Sequence, residues 1–78
     1  MAPDYDTIVH SIREEISKYY DGNYSNTDSF TRDLHIASDD LSVVAISLEK
    51  KFSIKLGSQE YRDITNVESY ARALQDRL

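Results

Sequence analysis

Apolar side chains first recur at three- and four-residue steps between about Asp6 and Tyr20. Ile8, Val9, Ile12, Ile16, Tyr19 and Tyr20 share one helical face, while Arg13, Glu14, Glu15 and Lys18 fill the other. The pattern predicts an amphipathic helix, with Asp4 or Asp6 able to cap its start. Periodicity then stops. Asp21 to Arg32 holds Gly22, Asn23, Ser25, Asn26, Thr27, Asp28 and Ser29, the chemistry of turns, and predicts a long loop in which only Tyr24 and Phe30 can reach a core. Loops of this length in small domains are often functional.

The stripe resumes after Ser38, an N-cap candidate followed by Asp39 and Asp40 in the first turn. Leu41, Val44, Ala45, Leu48 and Phe52 define a second helix that closes on Lys50 and Lys51. Ser53 to Gly57 alternates like a strand, but a lone strand has no partner for its hydrogen bonds, so an apolar linker is expected. Ser58 to about Asp63 allows one short helix. Thr65 and Glu68 have capping-box spacing before a final helix that turns Val67, Tyr70, Ala71 and Leu74 inward. The expected fold is all-α: a four-helix bundle with a long first loop and a short third helix, one domain over residues 1–78.

Composition narrows what such a domain does. It has no cysteine, so packed apolar faces must supply the stability of a 78-residue chain. Fourteen acidic against nine basic side chains leave a charge of -5, the wrong sign for tracking phosphates, and no nucleic-acid partner is expected. Six tyrosines without interleaved cations read as packing residues, not as a base-stacking platform. No segment is long enough to cross a bilayer, and the N-terminus lacks signal-peptide regions. A cytoplasmic monomer without membrane insertion is expected. Asp21, Asn23 and Ser25 are spaced like calcium ligands, but Asn26 stands where the loop needs glycine and Arg32 where it needs glutamate, so no metal site is expected. His10 and His35 lack partners at ligand or triad spacing. No nucleophile–base pair or phosphate loop marks an enzyme.

Four segments together resemble the acyl carrier protein family. Ser29-Phe30-Thr31-Arg32-Asp33-Leu34 is similar to that family's S-F-x-x-D-L, and Leu48-Glu49-Lys50-Lys51-Phe52 to its L-E-x-x-F. Ile54-Lys55-Leu56 and Ile64-Thr65-Asn66-Val67 resemble its I-x-I and I-x-x-V segments. Their joint spacing covers nearly the whole chain and aligns Ser38 with the attachment serine. The resemblance implies a 4′-phosphopantetheine arm, covalently linked to Ser38 from coenzyme A. It also implies a phosphopantetheinyl transferase and acyl ligase or synthase enzymes as partners, and a thioester-bound acyl or aminoacyl intermediate in fatty-acid, polyketide or other specialised biosynthesis. The family's D-S-L is here Ala37-Ser38-Asp39, and its frequent glycine at position 35 is His35.

By the same resemblance, Asp39, Asp40, Val43, Ile46, Ser47, Glu49 and Lys50 are candidate docking residues, Val43 replacing the family's usual glutamate. Phe30, Leu41, Val44, Leu48, Tyr61, Ile64, Tyr70 and Ala73 are the corresponding acyl-cavity walls. Tyr61 and Tyr70 stand where small residues are usual, which implies a short, polar or aminoacyl cargo, unless both rings swing out to solvent. The competing expectation is an unmodified carrier-like domain that binds a protein partner through the second helix.

Overall fold

The structure, a computed structural model, describes residues 2–78. Four helices follow in order, α1 (Tyr5–Ile16), α2 (Ser38–Phe52), α3 (Ser58–Asp63) and α4 (Val67–Arg77), with no strand among the described residues. The fold is the expected all-helical one. α1 packs most extensively against α4 and also against α2. Its ladder of Ile8, Ile12 and Ile16 is fully buried together with Val44 and Leu48 of α2 and Val67, Ala71 and Leu74 of α4. These are the residues that helical spacing marks as inward.

Asp4 makes the cap of α1, its Oδ1 accepting the Thr7 N–H at 2.8 Å, while Asp6 only adds first-turn charge. The helix ends earlier than the apolar pattern suggests. Lys18 and Tyr19 donate three residues back instead of four, to Glu15 and Ile16, a tightening that closes the helix at Ile16. Tyr19 and Tyr20 therefore lie beyond α1, half-buried against the core instead of continuing its stripe.

Residues 17–37 are anchored more fully than two aromatic residues would allow. Phe30, Leu34 and Ile36 are all buried. The Ser29–Asp33 segment folds into one turn closed at both ends. Asp33 Oδ2 accepts the Ser29 N–H at 2.7 Å, and Ser29 Oγ accepts the Arg32 N–H at 3.1 Å. Backbone bonds then tie the loop to the start of α4, from Phe30 N–H to Thr65 C=O and from Glu68 N–H to Asn26 C=O. Arg13, expected on the solvated face of α1, instead lies half-buried over the Tyr24 ring, 4.1 Å from its centroid. From there it donates to Asn26 Oδ1 at 2.6 Å.

Helix ends depart from the sequence reading for identifiable reasons. Ser38 is the first helical residue of α2, not its cap; Ala37 holds the cap position and offers no side-chain acceptor. Ser53 ends α2 in the left-handed conformation at φ 56°, the geometry that usually selects glycine. At α4 the box forms between Asn66 and Ser69 and not between Thr65 and Glu68. Asn66 Oδ1 accepts the Ser69 N–H at 2.7 Å, and Ser69 Oγ accepts the Asn66 N–H at 3.1 Å. Ser69 Oγ also accepts the Thr65 N–H. This arrangement fixes the relative cost of two substitutions. Asn66→Ala should lower unfolding free energy by about 0.5–2 kcal/mol in urea denaturation. Thr65→Ala, which keeps its backbone bonds, should stay within about 0.5 kcal/mol of the native chain.

Candidate functional site

Four parts of the fold line a cleft of about 640 Å³: α2, the α3 region, the loop before α2 and α4. α2 contributes Ser38, Leu41, Ser42, Ala45, Ile46 and Glu49; the α3 region contributes Ser58, Tyr61, Arg62 and Ile64; Phe30 and Tyr70 complete it. Each wall has a local cause. The Ser29–Asp33 turn sets Phe30 inward, and helical spacing puts Leu41, Ala45 and Glu49 on successive turns of one α2 face. α3 has six residues and none fully buried, too little apolar area to hold it. Tyr61 packs against the core, and polar contacts add to the hold on α3. Glu49 Oε2 accepts from Tyr61 Oη at 2.7 Å and from the Leu56 N–H at 3.1 Å. Glu60 pairs with Arg77 of α4 and accepts the Gly57 N–H at 3.0 Å, a bond that holds its carboxyl below the usual carboxylate range.

The interior of the cleft is aromatic. Tyr70 meets Phe30 and Tyr61 edge-on, with ring centroids 6.5 and 6.3 Å away. Both tyrosines turn inward, Tyr70 only 3 % exposed and Tyr61 half-buried. Burial raises both hydroxyl pKa values, that of Tyr70 to about 12, and the bond to Glu49 adds to the effect at Tyr61. Tyr70 Oη has no hydrogen-bond partner in the protein.

Ser38 lines this cleft from the exposed first turn of α2, beside exposed Asp39 and half-buried Asp40. Its side chain caps nothing; its carbonyl accepts from Ser42 Oγ at 3.1 Å. Just upstream, His35 is exposed and left-handed, φ 56°, a conformation that glycine adopts without strain. Of the other cavity candidates, Phe30, Leu41, Tyr61, Ile64 and Tyr70 do line the cleft. Val44 and Leu48 do not: both are fully buried among the core residues. Ala73 packs at the edge of the core, away from the cleft.

The docking candidates also separate. Val43 and Ile46 are 51 % and 55 % exposed, an apolar pair on the outer side of α2. Ser47 is half-buried and Lys50 exposed. Glu49, expected on that outer face, has its carboxylate engaged by Tyr61 and Leu56 instead. A second groove of about 540 Å³ runs past Ile46, Glu49, Lys50, Ser53, Ile54 and Lys55. Among the described residues no cluster of three or more His, Cys, Asp or Glu is placed to hold a metal ion. No helix there is long and apolar enough to cross a membrane. No protein-family model matches the chain, and no curated protein matches its sequence.

Ser42, Ala45, Ser58 and Arg62 line the cleft without being expected there, and Ile46 and Glu49, expected as docking residues, line it too. Ala45 was on the predicted α2 stripe, but no periodicity marks residues that meet only when α3 folds back over α2.

Two substitutions follow from this geometry. Tyr70→Phe removes an unpartnered buried hydroxyl and should stabilise the fold by about 1–3 kcal/mol, read as a higher urea midpoint. Because the folded-state pKa of Tyr70 exceeds the ordinary tyrosine value of about 10, its contribution to stability is complete below pH 10. That contribution is lost as pH rises toward about 12. Stability measured across that window should fall less steeply in Tyr70→Phe. His35→Gly relieves the left-handed strain and should stabilise by about 1 kcal/mol, checked by the same denaturation.

Proposed function

We propose that this chain is a carrier domain of the acyl carrier protein type, with a 4′-phosphopantetheine arm attached through Ser38. The observation that carries the reading is the position of Ser38 on the first turn of α2, exposed, and lining the cleft formed by Leu41, Ile64 and the aromatic residues. A phosphodiester on Ser38 Oγ suits the start of a fifteen-residue helix whose first N–H groups have no side-chain cap. Asp39 and Asp40 oppose it in part through like charge. The left-handed His35 supports the same reading, because that conformation explains why glycine is frequent there in the family. So does the closed Ser29–Asp33 turn, which gives each quoted residue of the S-F-x-x-D-L segment a role.

The arm, once attached, supplies a thiol that holds an acyl group as a thioester. The protein's own residues present it: Ser38 anchors it, the cleft offers the acyl chain a partly apolar refuge, and α2 faces the transferase and the loading ligase or synthase. A charge of -5 favours partners with basic surfaces. A cytoplasmic, monomeric carrier is part of this reading.

A second reading has an observation of its own. Val43 and Ile46 expose an apolar pair on the outer side of α2, suited to an unmodified domain that binds a protein partner there.

Intact mass separates the two. Incubation with coenzyme A and a broad-specificity phosphopantetheinyl transferase should add one phosphopantetheine mass, and Ser38→Ala should abolish the gain. No gain with several transferases, while a control carrier is labelled alongside, would reject the carrier reading in favour of the second.

A further inference from the structure

Tyr70 keeps a hydroxyl that the fold itself does not use. The side chain is 3 % exposed, its oxygen is shut off from solvent without a hydrogen-bond partner, and it lines the cleft beside Ser38. Phenylalanine would pack the same ring without that penalty. The Tyr61 hydroxyl is the polar group near enough to influence Tyr70, but it makes no hydrogen bond of normal length with it. Tyr61, edge-on at 6.3 Å, gives its hydroxyl proton to Glu49, and that carboxylate oxygen also accepts the Leu56 N–H. Phe30, on another side at 6.5 Å, has no polar atom in its side chain. A donor left over inside a largely apolar cleft can be satisfied by what enters the cleft.

We propose that the cleft selects acyl chains bearing a neutral oxygen, a hydroxyl or keto group along the chain, which the Tyr70 hydroxyl hydrogen-bonds while Phe30, Leu41, Ala45 and Ile64 cover the methylenes. The proposal rests on the carrier reading, in which an arm on Ser38 delivers the chain to the mouth of the cleft. At neutral pH the Tyr70 phenol keeps its proton and can donate. A saturated chain would leave that donor orphaned, so the preference is a difference between two chains of equal apolar length. A chain ending in a carboxylate is disfavoured, because Glu49 already places negative charge in the wall. Entry requires the half-buried Tyr61 ring to tilt away from Tyr70.

Free probes test the cleft without depending on Ser38 chemistry. N-acetylcysteamine thioesters of hexanoate, 3-hydroxyhexanoate and 5-hydroxyhexanoate are titrated into the full chain, following amide shifts. The better oxygenated probe should bind about 3- to 10-fold tighter than hexanoyl, the yield of one net hydrogen bond, with shifts at Leu41, Tyr61, Ile64 and Tyr70. In Tyr70→Phe the ratio should fall to about one, with hexanoyl binding retained. Equal or tighter binding of hexanoyl, a preference that survives Tyr70→Phe, or no shift with any probe would each overturn the proposal. Intact mass after transferase treatment of the same preparation separates the two readings. Labelling of Ser38 without probe selectivity removes only this proposal. Selectivity without labelling supports the cleft's preference and removes the arm.

Discussion

Ile8, Ile12 and Ile16 lose all contact with water, and the rest of the molecule is arranged around that ladder. A chain of 78 residues without cysteine has no covalent brace. Its helices hold together only while α4 and α2 keep these three side chains dry. Each buried branched side chain contributes about 1.5–3 kcal/mol relative to exposure, so the ladder is a large fraction of what a domain of this size can spare. α1 is thus the element on which α2 and α4 are positioned, and through them the cleft.

α3 stands outside that scheme. It buries no residue fully and is tied down by Glu49 from α2 and by the Glu60–Arg77 pair from α4. Polar tethers of this kind fix geometry at small net gain, because each replaces a bond to water. The cleft therefore has one wall built on fully buried core residues and another held by the half-buried Tyr61 ring together with hydrogen bonds. Tyr61, whose hydroxyl is one of the tethers, belongs to both that wall and the lining of the cleft.

The same economy explains Tyr70. Its ring fills the cleft between Phe30 and Tyr61, a packing role that needs no hydroxyl. The oxygen is buried without a partner, which lowers the stability of the fold. Under the proposed selectivity, that cost is a trade of stability for ligand contact. The exposed Val43–Ile46 pair is different in kind, since apolar surface on a small domain is common and costs little.

The residue pattern by itself determined the helices and their inward faces, because burial selects apolar residues at the 3.6-residue period. Val44, Leu48, Val67, Tyr70, Ala71 and Leu74 were all legible in this way. Helix ends were less legible. Asn66 with Ser69 outcompetes Thr65 with Glu68 through backbone geometry that spacing does not encode, and the second helix begins at Ser38 without needing its side chain as a cap. The pattern turned Val44 and Leu48 inward without separating core from cleft wall, and it set Glu49 on the outer face. Only the tertiary structure decided that Val44 and Leu48 join the core while Glu49 turns to Tyr61, and that Phe30, Ser38 and Tyr70 line one cleft. The physical reason is that periodicity records whether a side chain is buried. Which residues it meets depends on how the long loop and α3 fold back, through contacts between residues far apart in the chain.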